Sequence, residues 1–265
     1  MNLPDALIGY SGYVGGTLRK QRAFDALYRS TNIGEIRGGR FEMVVCAGAP
    51  AQKWLANREP EADRQKIEGL ISHLDSLSCN TFVLISTVDV FQQPIGVNEK
   101  SIVDESELHP YGLNRRLLEK FIEQRFDKCL IVRLPGLVGP SLRKNVIFDF
   151  LNSNNLHLID SRGVFQFYPT VNLWHDIQIA LHAGLKLIHL TAAPISVGEI
   201  SAQGFGRPFE QTLAHPTACY DLRTCYAQLF DAQGEYQYSQ RETLQAVRTY
   251  AQSEPTQKAQ EGASA

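Results

Sequence analysis

The sequence predicts an α/β protein, a doubly wound parallel sheet carrying a small C-terminal lobe. Two observations support this. Short, compact apolar runs alternate with amphipathic stretches of helical length, the pattern of strands buried on both faces and joined by crossover helices. A glycine-rich turn also separates the first apolar run from the first such stretch.

In chain order, Ala6-Leu7-Ile8 reads as the first strand and 13–22 as the first helix, followed by a second strand at Ala26-Leu27-Tyr28. Too few residues separate that strand from Met43-Val44-Val45-Cys46 for a complete strand and crossover helix. A trimmed βα unit is expected there, with a short strand near Ile33–Ile36. A helix over 61–77 leads to the strand Phe82-Val83-Leu84-Ile85. In the helix over 112–125, Leu117, Leu118, Phe121, Ile122 and Phe126 recur every three to four residues and form one buried stripe. Leu130-Ile131-Val132 closes the regular part. After Pro140 the pattern loosens, with helices expected near 143–152 and 174–186 and a strand at Leu187–Leu190. Ser196, with Glu199 three residues on, has the spacing of a capping box. These elements divide the chain into a sheet domain over 1–135, its last strands interleaved from 136–200, and a mixed lobe over 136–252. The tail 253–265 is polar and rich in small residues, and disorder is expected there.

Composition limits the function. The 265 residues are 43% hydrophobic, enough to bury a core of this size, and the net charge is −2, with no basic run to favour nucleic acid or an anionic membrane as partner. The N-terminus lacks the pattern of a secretory signal, and no apolar run is long enough to span a bilayer. None of the five cysteines forms a CxxC pair, and no His/Cys spacing points to a metal. Cys46, Cys79 and Cys129 lie in or beside apolar runs and read as buried thiols, which places the chain in a reducing, cytoplasmic setting.

The turn Gly9-Tyr10-Ser11-Gly12-Tyr13-Val14-Gly15 lies between the first strand and the first helix. Glycines here allow a tight turn and close approach of a ligand, and the amides at the helix start can hold a pyrophosphate. The spacing GxxGxxG resembles that of extended short-chain dehydrogenase/reductases, the family of nucleotide-sugar epimerases, dehydratases and 4-keto-sugar reductases. Further segments fit in the family's order: Val45-Cys46-Ala47-Gly48-Ala49, Leu84-Ile85-Ser86-Thr87, His109-Pro110-Tyr111 and Val132-Arg133-Leu134-Pro135-Gly136. The likeness spans about residues 4 to 200 and implies a Rossmann-like fold.

The resemblance makes Thr87 the catalytic hydroxyl, with Ser86 beside it, and Tyr111 the acid/base of the YxxxK motif. Here the fourth position is Arg115 instead of lysine. A nearby cation favours phenolate, so Arg115 could still assist Tyr111, although a guanidinium does not reproduce a lysine's geometry against the cofactor ribose. Gly9, Tyr10, Ser11, Gly12, Tyr13, Val14, Gly15, Ala47, Gly48, Ser86, Tyr111, Arg115 and Pro135 are expected to line the cofactor. The second strand carries no acid at its tip, and Arg29 and Ser30 would suit a 2′-phosphate, so NADP is favoured over NAD.

The expected substrate is a nucleotide-sugar reduced or epimerised at a carbonyl or hydroxyl, touched by Arg143, Lys144, Asn145 and Gln166. His109, His157, His189 and His215 have no ligand spacing, and Asp89 reads as a loop acid. Family members often pair through the YxxxK helix and the one before it, so a homodimer is plausible. The competing expectation is an NAD(P)-binding regulatory or sensor protein that has lost the chemistry, on the grounds that Arg115 and Cys46 depart from the motif.

Overall fold

The computed structural model describes residues 3–256. In chain order the elements are β1 (Asp5–Ile8), α1 (Tyr13–Gln21), β2 (Ala26–Tyr28), β3 (Arg40–Cys46), α2 (Lys53–Arg58), α3 (Pro60–Leu74), β4 (Ser78–Thr87), β5 (Ile95–Val97), α4 (Pro110–Arg125), β6 (Cys129–Leu134), β7 (Gly136–Val138), α5 (Val146–Asn152), β8 (Val164–Phe165), β9 (Phe167–Pro169), α6 (Leu173–His182), β10 (Leu187–His189), β11 (Ile195–Ser196), α7 (Val197–Glu199), β12 (Asp221–Leu222) and α8 (Gln240–Ser253). They form two compact units. One holds the chain up to Gln93, Glu99–Leu134 and Leu173–His189. The other holds Pro94–Asn98, Pro135–Asn172 and the chain from Leu190.

The first unit is a six-stranded sheet in the order β10-β6-β4-β3-β1-β2, every pair parallel. The chain runs from β1 outward to β2, then resumes at β3 on the other side of β1. The order therefore reverses between β1 and β3, and a crevice opens beyond the carboxyl ends of strands at such a point. The core on one face joins Ile8, Val44, Phe82 and Ile131 from the strands to Ile67 and Leu74 from α3 and to Leu118 and Ile122 from α4. Phe82 and Phe126 stack with ring centroids 4.5 Å apart.

The expected strand at Ile33–Ile36 is a 3-10 turn. Asn32 shapes its entry, accepting from the Arg29 amide at 2.7 Å and donating to the Leu27 carbonyl at 3.1 Å. Ile36 is fully buried in the core, so the segment returns to the start of β3 as a compact turn instead of adding a strand beyond β2.

Among the described residues the second unit has small sheets only: β7 with β9, β8 with β11, and β5 with β12. The loop after β4 was not expected to join this unit, yet Pro94–Asn98 does so as the partner of β12. Ser196 caps α7 with the expected capping box, but after α7 the helix widens into a π-helical turn over Ile200–Gly204. A Cβ on Gly204 would lie 2.6 Å from Val247 of α8, so glycine is what lets the two segments approach. The tail expected to be disordered begins at 253, but Ser253 ends α8; residues 257–265 lie outside the described residues.

Candidate functional site

The β1–α1 turn places its three glycines in different surroundings. Gly9 has φ +84°, and a Cβ there would fall on the carbonyl of Ala47 at the end of β3. A Cβ on Gly15 would fall on the Gly9 carbonyl. Both glycines are thus required by the fold's own packing. Gly12 is exposed, has ordinary φ (−78°), and its nearest neighbour to a new Cβ is the Gly9 carbonyl at 3.4 Å. Nothing in the protein's own packing requires glycine at that position. Gly12 is also the N-cap of α1 and offers no side-chain oxygen to the amides of Tyr13, Val14 and Gly15, so a ligand's oxygens can take that place. Ala47 and Gly48 close the other side of the crevice, and a Cβ on Gly48 would meet Ile8 at 2.9 Å. Cys46 is fully buried and its thiol is pushed up to about 11 by burial, so it fills space at the end of β3.

At the tip of β2, Arg29 and Ser30 are exposed. The Arg29 guanidinium lies 5.9 Å from the Tyr10 ring centroid, and Arg19 of α1 lies 5.5 Å from the same ring. Two cations therefore flank Tyr10 of the glycine turn. The acid nearest in sequence, Asp25, stands at the start of β2 and accepts from the Asp5 amide at 2.8 Å.

Thr87 ends β4, and Tyr111 stands in the first turn of α4. Thr87 stands beside the buried Tyr111 phenol and favours its ionised form. A 3-10 turn over Val88–Val90 follows β4 directly. The Thr87 Oγ1 accepts from the Asp89 amide at 3.1 Å and faces the Asp89 carboxylate at 3.4 Å. This turn packs on α4 so closely that a Cβ on Gly112 would overlap the Asp89 carbonyl. His109 caps α4, its Nδ1 accepting from the Gly112 amide at 3.0 Å, with Pro110 in the first turn. From α2, the Asn57 side chain accepts from the Tyr111 amide at 3.0 Å. Burial pushes the Tyr111 pKa up, and Asp89 adds to this; the charges of Arg115 and Lys53 and the nearby Thr87 hydroxyl pull the other way.

Arg115 departs from its expected part. It is 3% exposed and lies over the Tyr111 ring, its Cζ 3.9 Å from the centroid. Its terminal nitrogens bind both oxygens of Asp63, the Pro50 carbonyl and the Tyr111 carbonyl, and its Nε is buried with no partner. The guanidinium keeps its charge beside the phenol ring but has no outward-facing nitrogen for a ribose. A planar fork fits a carboxylate two-pronged, and Asp63 of α3 supplies that carboxylate. Ser86 likewise faces inward: its hydroxyl donates to Glu119 at 2.6 Å. Glu119 is fully buried on α4 and is bound in turn by Arg133 of β6 at 2.7 and 3.0 Å. Arg133 comes within 3.4 Å of His189 on β10.

Pro135, Arg143, Lys144, Asn145 and Gln166 belong to the second unit. Gln166 is 1% exposed, and its amide is fully engaged with Thr191, Ala192 and Leu222, so it holds strands together and cannot meet a substrate. Asn145 caps α5 at φ 121°, accepting from the amides of Ile147 and Phe148 and donating to the Leu137 carbonyl. Its side chain organises the loop rather than standing free. Arg143 and Lys144 are exposed, although desolvation lowers the Lys144 pKa, so its ammonium is partly shielded. Pro135 is buried at the exit of β6.

Sequence reasoning missed Lys53, Asn57, Asp63 and Arg19, and read Asp89 as a loop acid. Lys53, Asn57 and Asp89 act on Tyr111, and Asp63 on Arg115, across elements distant in sequence, so no motif could have shown them. Among the described residues no His/Cys/Asp/Glu group is arranged to hold a metal, and no helix is long and apolar enough to cross a membrane.

The chain matches no protein-family model and no curated protein. Solved structures do match it. The UDP-glucose 4-epimerase of Thermotoga maritima, solved with UDP-glucose, is 16% identical over 95% of this chain and 99% of its own, with a TM-score of 0.71. The dTDP-4-dehydrorhamnose reductase of Bacillus anthracis, in complex with NADP, is 16% identical over 92% and 96%, at 0.70. RMD of Pseudomonas aeruginosa, complexed with NADPH, is 18% identical over 94% and 99%, at 0.67. At such identities the likeness establishes the fold: this chain has the Rossmann-like fold of nucleotide-sugar epimerases and reductases.

Proposed function

We propose that the protein is an NADP-dependent oxidoreductase or epimerase acting on a carbonyl or hydroxyl of a nucleotide-sugar, with Tyr111 as acid/base and Thr87 orienting the reacting oxygen. The observation that carries this reading is the placement of Thr87, at the end of β4, beside the buried Tyr111 phenol in the first turn of α4, in a unit whose first turn leaves Gly12 exposed to a ligand. A nicotinamide cofactor, when bound, supplies or accepts hydride at the carbon that bears this oxygen. The main chain from Gly12 to Gly15 would hold its pyrophosphate, and Arg29 with Arg19 would hold a 2′-phosphate. In the reducing direction Tyr111 gives its phenolic proton to the carbonyl oxygen, and Thr87 donates a hydrogen bond to that oxygen while the charge develops. The exposed Arg143 and Lys144 suit a diphosphate by charge.

Comparison with the three solved proteins supports the substrate and cofactor classes, because they were crystallised with UDP-glucose, NADP or NADPH. The test is loss of NADPH absorbance with a panel of 4-keto-sugar nucleotides, together with an epimerisation assay. Tyr111→Phe should lower kcat by about 10²-fold or more, in line with the usual contribution of a positioned acid/base. Wild-type rates in that variant would refute the assignment.

One observation favours a second reading, a sensor that binds the cofactor without turnover: Arg115 is held by Asp63 and cannot act as the motif lysine does. That reading predicts a thermal shift with NADP(H) and no turnover with any sugar nucleotide. Pairing of two copies through α3 and α4 is part of the same proposal and is read by sedimentation.

A further inference from the structure

We propose that the buried group Ser86–Glu119–Arg133 sets the position of Thr87 against Tyr111, which makes Glu119 and Arg133 positioning residues of the reaction. The inference rests on the reading of Thr87 and Tyr111 as the reacting pair. It starts from a charged cluster where packing alone asks for apolar residues. Ser86 and Arg133 are register partners on β4 and β6, so their side chains leave the same face of the sheet. They stand at the carboxyl end of the apolar layer that joins Phe82, Leu84 and Ile131 to Leu118 and Ile122 of α4. Glu119 of α4 meets them there. Its carboxylate accepts from Ser86 Oγ at 2.6 Å, from Arg133 Nε at 3.0 Å and Nη2 at 2.7 Å, and from Arg116 Nη1 at 2.9 Å. Ser86, Glu119 and Arg133 are all buried. Ions so placed are a costly way to hold a helix on a sheet, because apolar side chains of similar volume do it without the desolvation. What the ions add is direction.

That direction falls on the segment that carries Thr87. On one side of Thr87, its chain neighbour Ser86 is fixed to Glu119. On the other, Phe91 follows the turn over Val88–Val90 and lies under the Arg133 guanidinium, whose Cζ is 5.2 Å from the ring centroid. Between these anchors Thr87 Oγ1 accepts from the Asp89 amide, and the Phe91 amide donates to the Val88 carbonyl at 3.0 Å. Both anchors thus end on one ion pair. Its carboxylate stands about two turns along α4 from Tyr111, so a single helix joins the anchor to the phenol. At its first turn the same helix meets the segment directly, where Gly112 lies against the Asp89 carbonyl. From β10, His189 Nε2 comes within 3.4 Å of Arg133 Nη1, and the His189 amide is held by Glu99 at 2.8 Å.

The test uses variants that leave the Glu119–Arg133 pair whole. Ser86→Ala frees the strand from Glu119, and Phe91→Leu removes the ring under Arg133 while keeping apolar bulk. Misplacing a reacting group by about 1 Å costs about 10²-fold in rate; loss of one of two anchors should cost about tenfold in kcat, with KM and the thermal shift given by NADP(H) unchanged. Ser86→Thr, which keeps a hydroxyl, should recover most of the rate. In a Thr87→Val background neither Ser86→Ala nor Phe91→Leu should cost anything further, since a residue that acts through Thr87 has nothing left to position. Amide hydrogen exchange gives a readout that needs no turnover: Ser86→Ala should speed exchange at Asp89 and Phe91 and leave the protection of β1 and β3 as in the parent. Parental kcat in both single variants, an equal loss with and without Thr87, or exchange that is unchanged or rises evenly across the sheet overturns the proposal. A wild type that turns over no sugar nucleotide refutes the enzymatic reading instead, and the exchange pattern then decides whether the group fixes this segment.

Discussion

Replacing Arg115 by methionine would leave the Asp63 carboxylate, 6% exposed, without its two-pronged partner. Breaking one side of a buried pair costs about 3–5 kcal/mol, because the remaining charge stays desolvated. Arg115→Met should therefore lower the unfolding free energy by that amount, read from the urea midpoint at unchanged m. Arg115→Lys should recover only part, since an ammonium cannot bridge Asp63 and the Pro50 carbonyl as the fork does. A neutral effect on stability would show that the pair is not formed. His109 gives a pH-dependent counterpart. Its Nδ1 must be unprotonated to accept from Gly112, and burial, with Lys53 next, depresses its pKa below 6.5. The unfolded chain then binds more protons than the folded one between the folded pKa and about 6.5, so stability falls as pH is lowered through that window. His109→Asn keeps an acceptor at the cap and should flatten this part of the profile, measured as melting temperature from pH 7 to 5.

At the scale of elements, the β1–α1 turn separates the demands of packing from those of binding. Gly9→Ala and Gly15→Ala should both destabilise, since each new Cβ would overlap a main-chain carbonyl. Gly12→Val should still fold, at the cost of a poorer N-cap on α1, yet lose the thermal shift given by NADP(H). Its β-carbon would meet only the Gly9 carbonyl, at 3.4 Å, and would stand where the ligand must approach. A Gly12→Val protein that still shifts with cofactor would move the binding site elsewhere. The glycine turn, the strand ends and the positions of α1, α3 and α4 were legible because each is a local pattern of period or spacing. The segment Ile33–Ile36 was not, because two β-branched residues there read as strand while the structure uses Ile36 as a core plug in a 3-10 turn. Gln166 and Asn145 were read as substrate contacts for a similar reason. Polar residues in an irregular stretch look available until their partners, drawn from Leu137 to Leu222, are in place.

Across the sheet unit as a whole, one buried polar chain ties α4 to three strands: Ser86 on β4, Glu119 on α4, Arg133 on β6 and His189 on β10. None of it could be read from the sequence, where Glu119 looks like an ordinary helix-surface acid and Arg133 interrupts an apolar strand. Its existence makes a molecule-wide prediction about acid. Burial alone would raise the Glu119 pKa, but the hydrogen bonds and charge of Arg133, the Ser86 hydroxyl and the charge of Arg116 outweigh it and hold the carboxyl below its ordinary 4.5. A carboxylate depressed in the folded state contributes stability that is complete above its unfolded pKa and is lost as pH falls toward the folded one. The sheet unit should therefore lose stability as pH drops below about 4.5, a loss common to native-state carboxylates, to which Glu119 adds. Glu119→Gln removes that contribution and orphans Arg133. It should cost about 3–5 kcal/mol at pH 7 and make the fall between pH 5 and 3 shallower, followed by circular dichroism in urea at each pH. If the variant matches the parent in both respects, the strands and α4 are held by apolar packing alone.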